Sequence, residues 1–348
     1  MAENERRLRQ LHGMMGDLGF GWDKGAAWRG GVVDAIDPGM QGRIAEWRKS
    51  GLNIMMSEKS EAKPVSFLED CAVELKDLAE YTDKLTAIFD RNGVKGTWYA
   101  HASVGCLHVR PVLNMKQACG AETMRAIAEE AFELVRFFGG SHSGEHGDGI
   151  VRSEFNDRMF GPVLPDLFRQ VKAMFDPQGM FNPGKITDAP KMDDRELFRF
   201  APGYDVEDFD SVLDWAAWPG AAGGFQGAVE MCNNNGACRK LSGGVMCPSY
   251  RATRNERDAV RGRANSLRLA MSGQLGPGAM ASDEMAETMK LCVSCKACKR
   301  ECPVGVDMAR MKVEVTAARA AKHGIPLHDS LIGNLPAYAP LASGLSGL

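Results

Sequence analysis

Val94-Lys-Gly-Thr-Trp-Tyr-Ala-His101-Ala-Ser-Val-Gly105-Cys-Leu-His108-Val-Arg110-Pro-Val112 is the stretch on which the fold turns. It reads as two strands. A two-residue hairpin loop at Val104-Gly105 would set His101 directly opposite His108. Directly opposed Cβ atoms lie about 4.5–5.5 Å apart. That separation suits two imidazoles sharing one divalent metal, with bonds of about 2.0–2.1 Å for zinc. The alternative is a pair of ordinary strand histidines. Two in register, with a Glu-His pair in a neighbouring glycine-rich segment, favour the metal.

That neighbouring segment is Gly139-Gly-Ser-His142-Ser-Gly-Glu145-His146-Gly-Asp148-Gly-Ile-Val-Arg152. It places two of the chain's seven histidines and two carboxylates among five glycines. Glycine serves where backbone must approach a ligand or take positive φ. The segment reads as a polar strand and turn aimed into a pocket, with Glu145 and His146 as the reactive pair. A bland reading is a turn with a capping Glu. With His101 and His108 opposed, Glu145 becomes the third metal ligand, and His2Glu with an open position is a catalytic set.

Working outward, Lys63 to Val73 reads as a strand, with Cys71 a small buried hydrophobe. Glu74 to Arg91 is an amphipathic helix ended by Asn92-Gly93. Ala121 to Phe138 is a second helix, stopped by Gly139-Gly140. Leu164 to Phe175 is a third. It is followed by the turn Asp176-Pro-Gln-Gly179 and by Asn182-Pro-Gly-Lys185. Strand–helix–strand–strand–helix–strand is the order of a ferredoxin-like split βαβ unit. The expected class is α+β: a ferredoxin-like cap domain, antiparallel sheet with helices on one side, followed by an α-helical, cysteine-rich domain.

The expected boundaries are 1–60 for an N-terminal segment of the cap, with a short helix over Gln41 to Lys49, and 61–188 for the cap itself. A linker runs over 189–228, with a short helix around Val206 to Trp215. The cysteine-rich helical domain covers 229–325, with helices over Arg257–Met271, Asp283–Lys290 and Met308–His323. Residues 326–348 read as a stop in mid-protein.

Seven of the ten cysteines fall between Cys232 and Cys302. Cys292-Val-Ser-Cys295-Lys-Ala-Cys298-Lys-Arg-Glu-Cys302-Pro303 is the C-x2-C-x2-C-x3-C-P run of bacterial ferredoxins, whose fourth cysteine serves the other cluster. Zinc is the competing reading, but it usually draws on cysteine pairs separated by a long loop. By the crossed rule Cys247, followed by Pro248, completes the 4Fe-4S cluster of Cys292, Cys295 and Cys298. Cys232, Cys238 and Cys302 would leave a second cluster one thiolate short.

The 348 residues are 44% hydrophobic and 25% charged, which allows two domains with sizeable cores. A net charge of -3 gives no support for a nucleic-acid partner. The charged start Met-Ala-Glu-Asn-Glu-Arg-Arg is followed by no apolar signal core, and no run is long enough to span a bilayer. Clustered cysteines without a secretory signal argue for metal or redox use and a cytoplasmic setting. A peripheral position at the inner membrane face is also open.

These motifs together resemble the FAD-linked oxidases of the vanillyl-alcohol oxidase type, in particular the D-lactate and D-2-hydroxyglutarate dehydrogenases fused to an iron–sulfur domain. The resemblance covers roughly residues 30–315. Its carriers are Lys63–Cys71, the His101/His108 hairpin, Gly144–Gly149, Phe175–Lys185, Gly244–Arg254 and the Cys292–Cys302 run. It implies that His101, His108 and Glu145 hold a divalent metal, zinc or manganese, and that His146 is the base taking the hydroxyl proton while hydride passes to FAD. It implies that Asn182 and Lys185 lie by the flavin. Electrons would continue to the cluster and then to a quinone or electron carrier.

Two departures stand out. Arg110 replaces the family's Asn, and as a substrate contact it could bind a second carboxylate, favouring 2-hydroxyglutarate over lactate. A structural salt bridge is the other reading of Arg110. The FAD-binding domain that precedes these motifs in the family is not in the sequence, so little turnover is expected from this chain alone. The alternative function is a non-catalytic iron–sulfur electron-transfer subunit, which has no need of His101, His108, Glu145 and His146.

Overall fold

The computed structural model describes residues 2–22, 30–206 and 209–345. It divides into two compact units, Met1–Leu52 and Asn53–Leu348. In the first, α1 (Ala2–Asp17) carries Glu3 paired with Arg6 and Arg7 at 2.7 and 2.8 Å. The helix expected at Gln41 to Lys49 is longer on both sides, running as α2 from Pro38 to Met56. The Asp37 carboxylate starts it by accepting the Met40 amide at 2.6 Å.

The second unit opens on a small antiparallel sheet. Its strands are β1 (Lys63–Pro64), β2 (Cys71–Ala72), β3 (Gly96–His101) and β4 (Cys106–Leu113), with α3 (Leu78–Arg91) between β2 and β3. β4 is central. β3 lies on one side of it, and β1 and β2 lie end to end on the other. The single strand expected over Lys63 to Val73 is therefore broken. Phe67 and Leu68 are buried one after the other, which a pleat that alternates its faces does not allow against one core. Asp70 then turns through φ 66° before β2 begins.

α3 and α4 (Ala118–Phe137) supply the core over this sheet. Tyr81, Leu85, Ile88 and Phe89 face inward from α3, and Met124, Ile127, Ala131 and Val135 from α4. They meet Phe67, Leu107 and Val109 of the sheet region in one cluster. Full burial of each large side chain is worth about 1.5–3 kcal/mol. The α+β class is as expected. The final strand of the expected ferredoxin-like order is reduced to one bridge, Ser141 with Ala72. Beyond it, α5 (Asn156–Phe160) and α6 (Val163–Phe175) close this part.

The helical part contains α7 (Phe225–Glu230), α8 (Pro248–Thr253), α9 (Val260–Met271), α10 (Asp283–Lys290), α11 (Ala297–Glu301) and α12 (Met308–His323), then α13 (Leu327–Gly333) and α14 (Leu335–Leu345). α9, α10 and α12 match the three helices read from the sequence. The helix expected around Val206 to Trp215 does not form among the described residues there; Glu207 and Asp208 lie outside them. The buried Glu314 carboxylate of α12 takes the amides of Val212 and Leu213 at 2.9 and 3.0 Å and the Trp215 indole N–H at 2.7 Å. Those donors are satisfied by a side chain, so the segment has no need of its own helix. Trp215, Phe225, Leu267, Met289 and Met308 share the core of this part. No described helix is long and apolar enough to cross a membrane.

Candidate active site

The hairpin register differs from the expected one. His101 pairs with Cys106, and His108 pairs with Tyr99. Ala102–Val104 forms a 3-10 turn and Gly105 follows at φ 71°, so the loop has four residues rather than two. A Cβ on Gly105 would stand 1.9 Å from the Val73 carbonyl oxygen. Only glycine allows that close approach. His101 and His108 are thus diagonal neighbours on one face, which long side chains still bridge. Their rings meet edge to face with centroids 4.9 Å apart. The Tyr99 ring stacks on His108 at 4.6 Å.

Glu145 and His146 do not sit on a strand. The glycine-rich stretch bends after Ser141 because its amides go to Asp70. The Asp70 carbonyl takes the Gly144 amide at 2.8 Å, and its Oδ2 takes those of Glu145 and His146 at 2.7 and 2.6 Å. Gly144 passes so close that a Cβ there would be 2.7 Å from the Asp70 carbonyl oxygen. Asp70 is fully buried, and its Oδ1 receives the Arg152 guanidinium. Burial alone would raise the Asp70 carboxyl. The His146 amide, Arg152 and the Glu145 amide more than offset it and hold it below its ordinary value.

This brings four candidate side chains together. Glu145 Oε1 lies 2.9 Å from His108 Nε2, 3.6 Å from His101 Nε2 and 3.4 Å from His146 Nε2. One donor atom each from His101, His108 and Glu145 falls within 4.8 Å of the others. Glu69, His108 and His146 form a second such group. His108 is 2% exposed, yet neither ring nitrogen makes an aligned hydrogen bond, despite the short distance to Glu145. A buried donor or acceptor left without a partner costs about 1–3 kcal/mol. Burial also pushes the His108 imidazole toward its neutral, ligating form. An orphaned neutral imidazole facing a second histidine and a carboxylate fits a divalent cation.

Arg110, read from the sequence as a substrate contact or a salt-bridge partner, is buried against Glu69, with its Nε 3.2 Å from Oε1. Glu69 in turn lies 3.7 Å from His108 Nδ1. Asn182 and Lys185 are exposed in the turn after α6, 3.3 Å apart. The next residue, Ile186, donates to the Gly149 carbonyl at 3.2 Å, which sets this turn beside the glycine-rich stretch. Sequence reasoning missed Asp70, Glu69, Tyr99 and Arg152. The adjacent acids Glu69-Asp70 inside an apolar run were the available signal. It also passed over His142, buried 3.3 Å from Asp148.

The cysteines gather in the helical part. Cys247, Cys292, Cys295 and Cys298 line one small pocket. Glu301 draws the Cys247 loop in by accepting the Val245 and Met246 amides at 2.8 and 2.9 Å. Arg263, fully buried, points Nη1 at the Cys247 sulfur from 3.7 Å. Burial raises the Cys298 thiol to about 11. Such a thiol gives up its proton when a metal takes its place. Cys232 and Cys238 are buried nearby. The Arg261 amide donates to the Cys238 sulfur at 3.4 Å, and burial raises the Cys232 thiol, with Cys302 adding to the same direction. The four-thiol pocket fits an iron–sulfur cluster.

An antiparallel sheet presenting two histidines, joined to a helical part with clustered cysteines, defines a class that the comparisons identify. Residues 3–186 match the FAD linked oxidases, C-terminal domain, and residues 228–306 match the 4Fe-4S dicluster domain. The chain belongs to the FAD-linked oxidase C-terminal family. It is similar to D-2-hydroxyglutarate dehydrogenase of Pseudomonas putida, 30% identical over 339 residues, covering 88% of this chain and 33% of that protein. The enzyme of the same name from Escherichia coli is 30% identical over 339 residues, covering 86% and 32%. D-lactate dehydrogenase of Archaeoglobus fulgidus is 31% identical over 133 residues, covering 38% and 29%. The chain spans about a third of the length of these curated relatives.

Proposed function

We propose that this chain forms the substrate and electron-relay parts of a FAD-linked D-2-hydroxy acid dehydrogenase. The observation that carries the reading is the convergence of His101, His108, Glu145 and His146, with both nitrogens of the buried His108 unsatisfied. The relatives named D-2-hydroxyglutarate dehydrogenase support that hydroxy acid as substrate, with D-lactate next. Arg110, already engaged by Glu69, would steady Glu69 beside His108.

His101, His108 and Glu145 would hold a divalent cation, which when bound orients a 2-hydroxy acid's carboxylate and hydroxyl and lowers the hydroxyl pKa. His146 Nε2 then stands in place to accept the hydroxyl proton as the C2 hydride leaves. Asp70, by accepting the Glu145 and His146 amides, fixes the backbone that carries that imidazole. Tyr99 closes one side of His108 and keeps water off the ring. Cys247, Cys292, Cys295 and Cys298 would ligate one 4Fe-4S cluster. Cys232, Cys238 and Cys302 would supply a second with three thiolates. Asn182 and Lys185 would face the flavin.

An iron–sulfur carrier without catalysis has no use for an orphaned His108 set against Glu145, so the dehydrogenase is the better reading. The test is D-2-hydroxyglutarate-dependent dye reduction by the natural polypeptide, with and without His146→Ala. The expected result is loss of at least about 100-fold in kcat, the usual scale of general-base catalysis. Unchanged turnover in His146→Ala would overturn the assignment of the base.

A further inference from the structure

A buried guanidinium stands against the cysteine pocket. Arg263, near the start of α9, lines it together with Cys247, Cys292, Cys295 and Cys298. Its side chain is wholly out of solvent, and a guanidinium keeps its charge there. Most of its donors go to neutral oxygens. Nε donates to the Thr288 carbonyl at 2.9 Å, and Nη1 to the Asp258 carbonyl at 2.7 Å and the Ser249 hydroxyl at 3.1 Å. Nη1 also faces the Cys247 sulfur at 3.7 Å, and Nη2 makes no hydrogen bond. The carboxylate beside it is shared. Asp258 Oδ1 lies 3.8 Å from Arg263 Nη2 and 3.7 Å from Arg257 Nε, and it accepts no hydrogen bond from either. One carboxylate between two guanidiniums leaves the buried Arg263 charge only partly offset.

An iron–sulfur cluster in this pocket would complete the balance, because its thiolates carry more negative charge than its core carries positive. We propose that Arg263 sets the reduction potential of the cluster that Cys247, Cys292, Cys295 and Cys298 would hold, favouring the reduced state through its charge and its donation to the Cys247 sulfur. The inference rests on the iron–sulfur part of the reading above and not on its substrate. Net charge, hydrogen bonds to the sulfurs and solvent exposure are what tune such a centre. Reduction adds an electron, breaks no bond and needs no proton, so the cluster and its thiolates become more negative. A cation that water does not screen gains most from that change. The other charges nearby are less well placed to do so. Lys296 also lines the pocket but is exposed, where water and salt weaken it. Asp307 adds to burial in raising the Cys298 thiol, so it opposes reduction, and its carboxylate also caps α12 by accepting the Arg310 amide at 3.2 Å. Arg263 acts through a ligand sulfur, so its part is tuning and not catalysis.

The experiment is an anaerobic redox titration of the cluster-loaded chain with dithionite, followed by electron paramagnetic resonance of the reduced centre. The signal to follow is the one that Cys298→Ser lacks. Arg263→Gln removes the charge, and the centre should hold its electron at least about tenfold less tightly, a potential lower by about 59 mV for a one-electron couple. Arg263→Lys keeps a charge but loses the guanidinium fork, and its potential should fall by less. A purely structural Arg263 would lower the stability of both variants and leave the potential of the loaded centre where it was. Should neither variant load, wild type decides: with arginine isotope-labelled at the guanidinium nitrogens, the reduced centre should show hyperfine coupling to one of them. Absence of that coupling, or an unchanged potential in Arg263→Gln, overturns the inference while leaving the iron–sulfur reading intact. A wild type that takes up no cluster overturns both. No hydroxy acid enters the assay, so its outcome is independent of the dehydrogenase reading.

Discussion

The histidine site and the cysteine site are built in opposite ways. Three of the four thiols in the cluster pocket come from seven consecutive residues, Cys292 to Cys298, and one loop geometry suffices to present them. The histidine site draws on β3, β4 and a bent segment that is neither helix nor strand, and a buried carboxylate from yet another segment fixes it. The first is encoded by spacing and the second by packing. The cysteine site should therefore fail by losing ligands one at a time, and the histidine site should fail when its support is removed, even with every ligand present.

Four changes sharpen that contrast, from the largest expected effect down. Cys298→Ser removes a proposed cluster ligand at the centre of the cysteine run. It should abolish the visible absorbance of the cluster that Cys298 serves while leaving divalent-metal binding by the histidines intact. Asp70→Asn keeps every proposed metal ligand but leaves Arg152 without its buried partner, a kind of break that costs about 3–5 kcal/mol. Denaturant unfolding should show the loss, and metal affinity should fall with it. The same carboxyl gives a pH dependence. Its folded pKa is held below the unfolded value of about 3.9, so its contribution is present above that pH and is lost as pH falls through the folded value. Wild type should lose stability on acidification in this range, and Asp70→Asn should lose less.

Glu314→Ala strands the amides of Val212 and Leu213 and the Trp215 indole, and should cost about 1–3 kcal/mol for each donor that water cannot reach. The loss should register as a lower unfolding midpoint, with the histidine site unchanged. Glu3→Ala is the small end of the scale. It cuts exposed pairs with Arg6 and Arg7, and about 0.5 kcal/mol or less is expected by denaturant unfolding. An effect as large as that of Glu314→Ala would mean that α1 packs on more than its own charges.

The sequence made the cysteine run, the helices with clean apolar periodicity and the two-histidine hairpin legible, because each depends on residues close along the chain. It did not reveal the register. A four-residue loop replaced the expected two because Gly105 packs against the Val73 carbonyl, a contact 32 residues away in sequence. The strand expected over Lys63 to Val73 breaks for the same kind of reason, since Phe67 and Leu68 both find the core. His101 and His108 were still picked out from the sequence as neighbours, because diagonal and direct neighbours on one strand face are both within reach of an imidazole. Asp70 was not, since a carboxylate that serves backbone amides has no spacing rule to give it away.

The most direct test of the account is a Mn2+ titration of this chain followed by electron paramagnetic resonance, with His108→Ala alongside. The account predicts one bound Mn2+ per chain in wild type and loss of that site in His108→Ala, while Cys298→Ser binds as wild type does. Absence of Mn2+ binding in wild type, or a site that survives His108→Ala unchanged, would contradict it.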